Sequence, residues 1–320
     1  MKHNNNNNNN NYNNNNNNNN LKFNEHFGIP EDADHLDIPL ESDLEAFICP
    51  FLIVNDNEGI ISHQINYRSS KFLEELNTNY VKTNNRKKAI PFLSHLSEAN
   101  EYNLGYSKSN KGKGIAIEKA ETIFTALRNN RFAKQGVSIT NEAHNVLLLV
   151  KGIGQDNMSD VLANICRDIF AEFTYKQCKK YNVPTSEVKI KFFNSITKKW
   201  DYKKVQLPKY LGKHKILLPK NIISGSRDYS TLYNWFISRN YISYEILNSK
   251  TKESVKDKYC TKLKDGTKKA IIKRIYKDYH KPKGDLIDFV LEYQGSLLEF
   301  QLYAKEHYPS LNLENLDNVA

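Results

Sequence analysis

The chain has 320 residues and a formal net charge of +10, from 46 Lys and Arg against 36 Asp and Glu, and it is long enough for one large domain or two smaller ones with a real core. No run approaches the ~18 apolar residues of a membrane span, and no basic segment followed by an apolar stretch opens the chain, so a soluble, cytoplasmic protein without a membrane partner is expected. Cys49, Cys166, Cys178 and Cys260 are dispersed without a CxxC pair, a pattern that suits a reducing compartment and argues against a zinc site.

Residues Asn4 to Asn20 are asparagine except for Tyr12. With nothing apolar to bury, residues 1–20 are expected to be a disordered tract outside the fold. An acidic stretch, Asp34 to Asp43, leads into the apolar run Ala46 to Val54, closed by Asn55-Asp56-Asn57-Glu58-Gly59, which predicts a buried strand. Ser69 to Val81 predicts a helix with Phe72, Leu73, Leu76 and Tyr80 on one face, and Lys88 to Leu96 a second. The loop Gly105 to Gly114 is rich in Gly, Ser and Lys and precedes a predicted helix, Ala116 to Asn129. Such a loop can cradle phosphate, but it departs from G-x-x-x-x-G-K-[ST], which rejects a Walker-type site.

Val146 to Val150 predicts an apolar strand that turns on Gly152-Ile153-Gly154 into a helix, Ser159 to Tyr181. Leu162, Ile165, Ile169 and Phe173 form its apolar stripe, Ser159 suits its N-cap, and Asp160 complements its dipole. Glu187 to Phe193 alternates polar and apolar and reads as a strand, and Lys215 to Pro219 as a short apolar one. Beyond Asp228 helices are expected at Tyr229 to Arg239, Thr267 to Tyr279 and Leu286 to His307. The sum is an α/β domain over residues 21–226, a mixed sheet with flanking helices, followed by a basic, mainly helical C-terminal region over residues 227–320.

Charge is concentrated in one segment. From Lys198 to Lys283 there are 23 Lys and Arg against 7 acids, whereas the preceding residues balance at 22 each and Gly284 to Ala320 carries one Lys against seven acids. Lysines neutralise phosphates and aromatic faces stack on unpaired bases, so the segment suits nucleic acid. Lys203, Lys204, Lys213, Lys215, Lys220, Lys268, Lys269, Lys273 and Arg274 are its candidate contacts. Its aromatics are Trp200, Tyr202, Tyr210, Tyr229, Tyr233, Trp235, Phe236, Tyr241, Tyr244, Tyr259, Tyr276 and Tyr279. The alternative is a solvated lysine-rich surface with those aromatics in the core.

The strand, glycine turn and helix around Gly152 mark where α/β proteins place ligands. Asp156, Asp160 and Glu187 have the carboxylate chemistry that binds Mg²⁺, and Lys189 could stabilise charge developing on phosphate. Asp156 followed by Glu187-Val188-Lys189 resembles the pattern of PD-(D/E)xK nucleases, although a long predicted helix stands between acid and triplet. In the alternative reading Asp160 is a helix-terminal charge, Asp156 caps a turn, and Glu187 with Lys189 is a solvated same-face pair. No Gly-x-Ser-x-Gly elbow is present, and His63, His95, His144 and His214 show no metal-ligand spacing.

A wider pattern joins Asp37-Ile38-Pro39-Leu40, Phe47-Ile48-Cys49-Pro50-Phe51-Leu52, Leu104-Gly105-Tyr106-Ser107, Gly152 to Asp160, Phe173-Thr174-Tyr175 and Leu217-Leu218-Pro219-Lys220. It resembles a group of bacterial proteins linked to mobile elements or antiviral defence loci, in which Asp stands at the position of Cys49. The resemblance implies one shared α/β fold from Leu21 to about Lys220. Two functions stay open: an intracellular nucleic-acid-acting protein working as a Mg²⁺-dependent nuclease, or a non-catalytic module that binds nucleic acid or an acidic protein partner.

Overall fold

The computed structural model describes residues 21–106 and 116–311. The asparagine tract and most of the Gly105 to Gly114 loop lie outside the described residues. Among the described residues helices build the core, and the strands form four separate two-stranded antiparallel sheets. In place of the expected mixed sheet with flanking helices, helix packing forms the core, and no single large sheet is present among the described residues.

Two apolar runs account for the difference. Val146 to Val150 lies mostly within the helix Ala143–Leu149, all seven residues of which are buried. A helix that is covered on every side has no polar stripe, so its sequence reads like a buried strand. In the second run only Phe47–Ile48 forms a strand, pairing antiparallel with Ile223–Ser224. Pro50 then opens the helix Pro50–Asn55, because its fixed φ suits a first helical turn and its missing N–H would leave a gap in a strand ladder.

The long helix Ile60–Leu76 continues through a wider turn, Asn77–Val81, so the predicted Ser69 to Val81 helix starts nine residues earlier than its sequence signal. The Ser159 to Tyr181 helix divides at Cys166 (φ −105°, ψ 16°) into Gln155–Ile165 and Arg167–Lys180. Gly154 caps the first of these. Ser159 is thus inside the helix, where its hydroxyl accepts the Ile48 N–H at 3.0 Å and ties the short strand to the helix.

The most extended unit is the hairpin Ser186–Asn194 with Lys199–Leu207. Side chains alternate across it, so Glu187, Lys189 and Lys191 share a face with their partners Gln206, Lys204 and Tyr202. At the turn the Asn194 carboxamide accepts the N–H groups of Ile196 and Thr197. Phe193 and Trp200 anchor this end: both rings pack on Phe72, and the Trp200 indole N–H donates to the Phe92 carbonyl at 2.8 Å.

Lys215 to Pro219 is extended but joins no named strand. Its backbone is satisfied piecemeal: Ile216 N–H donates to Glu101 O, Leu217 N–H to the Thr174 hydroxyl, and Leu218 O accepts from Leu36. Among the described residues the C-terminal region is helical apart from one hairpin. Thr267 to Tyr279 is a strand, Lys268–Ala270, paired with Cys260–Lys262, and then a helix, Ile272–Tyr279. Leu286 to His307 is two helices, Leu286–Glu292 and Ser296–His307, parted where Gly295 adopts φ 89°. Among the described residues no helix is long and apolar enough to cross a membrane.

Candidate nucleic-acid interface

Asp156 lies in the first turn of the Gln155–Ile165 helix, with Asp160 one turn further on. Asp160 pairs with Lys119 of the Ala116–Asn129 helix. Two carboxylates that the sequence reading overlooked join them from loops, Asp43 and Glu98. Among the described residues Asp43 Oδ1 and Glu98 Oε2 are buried without a hydrogen-bond partner. Burial pushes Asp43 up to about 6, reinforced by the charges of Glu98 and Asp156 and opposed by Lys215. Burial likewise raises Asp160 to about 6, with Asp156 and Glu98 adding to the rise and Lys119 opposing it.

Glu187 stands apart from this group on the hairpin, exposed and paired with Lys204 at 2.7 Å. Lys189 lies over the Tyr202 ring, its Nζ 4.6 Å from the centroid. Among the described residues no group of three His, Cys, Asp or Glu side chains is arranged to hold a metal ion. Of the residues named from sequence as Mg²⁺ ligands, Asp156 and Asp160 are neighbours but Glu187 does not join them, because the strand that carries it points it at a cross-strand lysine.

The hairpin instead borders a cleft of about 500 Å³, whose walls come from Val188 to Lys191, Tyr202 and Leu207, from Asn100, Glu101 and Arg167, and from Lys213 to Ile216. Its electrostatics are one-sided. Glu101 is already paired with Arg167 at 2.8 Å. Lys189, Lys191 and Lys213 have no ion pair among the described residues. Lys191 Nζ is 3.1 Å from His95 Nδ1, and burial, aided by the Lys191 charge, lowers the His95 pKa. A neutral imidazole accepts from an ammonium, so His95 holds Lys191 without cancelling its charge. His214 is also lowered, by burial and then by Lys209.

The structure sorts the lysines named from sequence. Lys213 borders the cleft. Lys203 and Lys204 are exposed on the hairpin, but Lys204 is engaged by Glu187. Lys215 is only 1% exposed and donates to Leu40 O at 3.1 Å and to Asn103 Oδ1 at 2.5 Å. It ties three segments together rather than facing a ligand. Lys220 donates to the Glu31 carbonyl. Lys268 is held by Glu253 and Asp257, and Arg274 donates to the Lys258 carbonyl, while Lys269 and Lys273 are exposed beside them.

Seven of the twelve aromatics of the basic segment lie in the core or against it, Trp200, Tyr210 and Tyr241 being half-buried there. Tyr229, Tyr233, Phe236 and Tyr259 are buried, and Trp235 stacks on Tyr276 with centroids 4.1 Å apart. Tyr202, 54% exposed, is the aromatic that faces the cleft. Lys191, His95 and Arg167 were not named from sequence as site residues. The alternation Lys189, Lys191 was a readable signal for the first, but His95 and Arg167 reach the site only through the tertiary fold.

The model of a family described as "Domain of unknown function (DUF8370)" matches residues 28–230, more than half of the chain. The chain belongs to that family. The DUF8370 match includes every residue lining the cleft and the four carboxylates Asp43, Glu98, Asp156 and Asp160, and it stops short of the second hairpin with Lys268 and Lys269. No curated protein and no solved structure matches the chain.

Proposed function

We propose that this protein is an intracellular nucleic-acid-binding module whose contact surface is the Lys189, Lys191 and Tyr202 face of the hairpin, extended by Lys213. The observation that carries the reading is that three exposed or half-exposed lysines without acidic partners among the described residues, Lys189, Lys191 and Lys213, border one cleft, the last of them within the segment where cations outnumber acids 23 to 7. Ammonium groups kept apart from carboxylates attract phosphate, and each phosphate neutralised releases a counterion. Anchoring by Phe193 and Trp200 supports a preorganised surface, which lowers the entropic cost of binding. The four free cysteines, three of them buried, support a reducing, intracellular setting.

The test is anisotropy of labelled DNA and RNA with the wild-type chain and a Lys189→Glu/Lys191→Glu variant. Loss of roughly tenfold or more in affinity on reversing two phosphate-contacting charges is the expected result. Unchanged affinity in a folded variant would move the contact surface elsewhere, and binding of an acidic protein in preference to nucleic acid would replace the ligand class.

A second reading, the Mg²⁺-dependent nuclease, draws support from one observation: Asp43, Glu98, Asp156 and Asp160 lie within one another's fields, and burial, reinforced by these charges, raises Asp43 and Asp160 to about 6. Perturbed carboxylates often mark functional sites. Its test is cleavage of labelled strands in millimolar Mg²⁺ or Mn²⁺ beside Asp156→Ala. Cleavage lost in that variant would favour it over simple binding, and cleavage that persists would assign the activity to a contaminant.

A further inference from the structure

We infer that the ligand is single-stranded nucleic acid and that Tyr202 is a platform on which an unpaired base stacks, an inference that rests on the cationic hairpin face proposed above. The geometry separates two kinds of polyanion. A duplex offers its phosphates outward and keeps its base faces stacked inside, so an aromatic ring gains nothing from it beyond contact at the backbone. A single strand offers phosphates and bare base faces together, and proteins that bind it combine a positive groove with aromatic side chains.

Tyr202 meets that description where the other exposed aromatics do not. Two ammonium groups lie close to its ring, Lys189 Nζ 4.6 Å and Lys191 Nζ 4.9 Å from the centroid. It borders the cleft of about 500 Å³, within the usual size range of pockets for small molecules such as a nucleotide. Tyr244, although 69% exposed, does not line it. The placement is also firm. Tyr202 pairs across the hairpin with Lys191, and two residues away Trp200 is fixed by its hydrogen bond to Phe92 and its packing on Phe72. A ring held this way loses little freedom on stacking, since its backbone is already set. The lysines would then take the phosphates on either side of the stacked base, which accounts for an aromatic residue set among cations.

The experiment uses the full chain and fluorescence anisotropy with four labelled probes of about twelve nucleotides, within the site sizes typical of single-strand binders: DNA, RNA, a blunt duplex, and an abasic strand that has phosphates but no bases. Wild-type protein is expected to bind the base-bearing strands about tenfold tighter than the abasic one, the scale of one stacked base. Tyr202→Ala should erase that difference and leave abasic binding and its salt dependence unchanged, whereas Tyr202→Phe should keep it. Equal weakening of abasic and base-bearing strands by Tyr202→Ala, or a duplex bound as tightly as the single strands, would overturn the stacking inference while leaving the cationic surface in place. Absence of binding to all four probes would overturn the underlying reading as well. Melting temperatures of both variants, expected to match the wild type because Tyr202 is exposed, exclude a folding defect as the cause.

Discussion

Replacing Asp43 by Asn is expected to stabilise the protein at neutral pH, because Asp43 ionises in an unfavourable place. It is half-buried, has an oxygen without a hydrogen-bond partner among the described residues, and lies in the field of Glu98 and Asp156. Its folded-state pKa of about 6 stands above the ordinary value of 3.8. Between those values the folded state holds a proton that the unfolded state has released, so stability falls as pH rises through this window and the loss is complete above it. Two pKa units correspond to at most about 3 kcal/mol, and partial exposure screens this to about 1 kcal/mol. In a chain of this size that is about 2 °C in Tm. Asparagine keeps the shape and removes the charge, so urea and thermal unfolding should favour the variant by this amount near pH 7.5 and show no difference near pH 4, where the wild-type carboxyl is largely protonated. A variant less stable than wild type near pH 7.5 would refute the reasoning and show that Lys215, the opposing charge, outweighs the carboxylates and the burial.

Lys215→Met should destabilise the fold by about 2 kcal/mol, since it leaves the Leu40 carbonyl and Asn103 Oδ1 without their buried donor. Burial lowers Lys215 from 10.5 to about 8, so the wild type gains stability as pH rises through that window and the Met variant lacks this contribution. Urea titrations near pH 7.5 and pH 9.5 check both statements, and equal stabilities would contradict them. Trp200→Ala removes an indole packed on Phe72, Phe92 and Phe193 and its bond to the Phe92 carbonyl. The expected cost is about 2–3 kcal/mol with weakened probe binding, and unfolding measurements that find less than about 0.5 kcal/mol would show that the hairpin is held elsewhere.

Where one face of an element was buried, its periodicity was legible. The helix Ala116–Asn129 occupies its predicted span, and the strand predicted at Glu187 to Phe193 lies within Ser186–Asn194. Elements buried on all sides misled: Val146 to Val150 has no polar face to reveal a helical period, and the sheet expected around it does not form. In the Ala46 to Val54 run, the stop signal was Pro50, a residue as well suited to starting a helix as to ending a strand. The basic segment was visible from charge alone, but which lysines remain free was not. Lys213 and Lys215 differ by two positions, yet the first is exposed at the cleft and the second is 1% exposed and satisfied by backbone and Asn103. Pairing of Glu187 with Lys204 likewise depends on hairpin register, which a Glu-x-Lys triplet does not encode.

The most direct test of the cationic hairpin face is the salt dependence of single-strand binding. Three phosphates engaged by Lys189, Lys191 and Lys213 give a slope of log K against log salt of about −2, and a Lys189→Gln/Lys191→Gln variant should flatten it by about 1.4. A wild-type slope near zero, or a steep slope unchanged in the variant, would contradict the assignment of this face as the nucleic-acid contact.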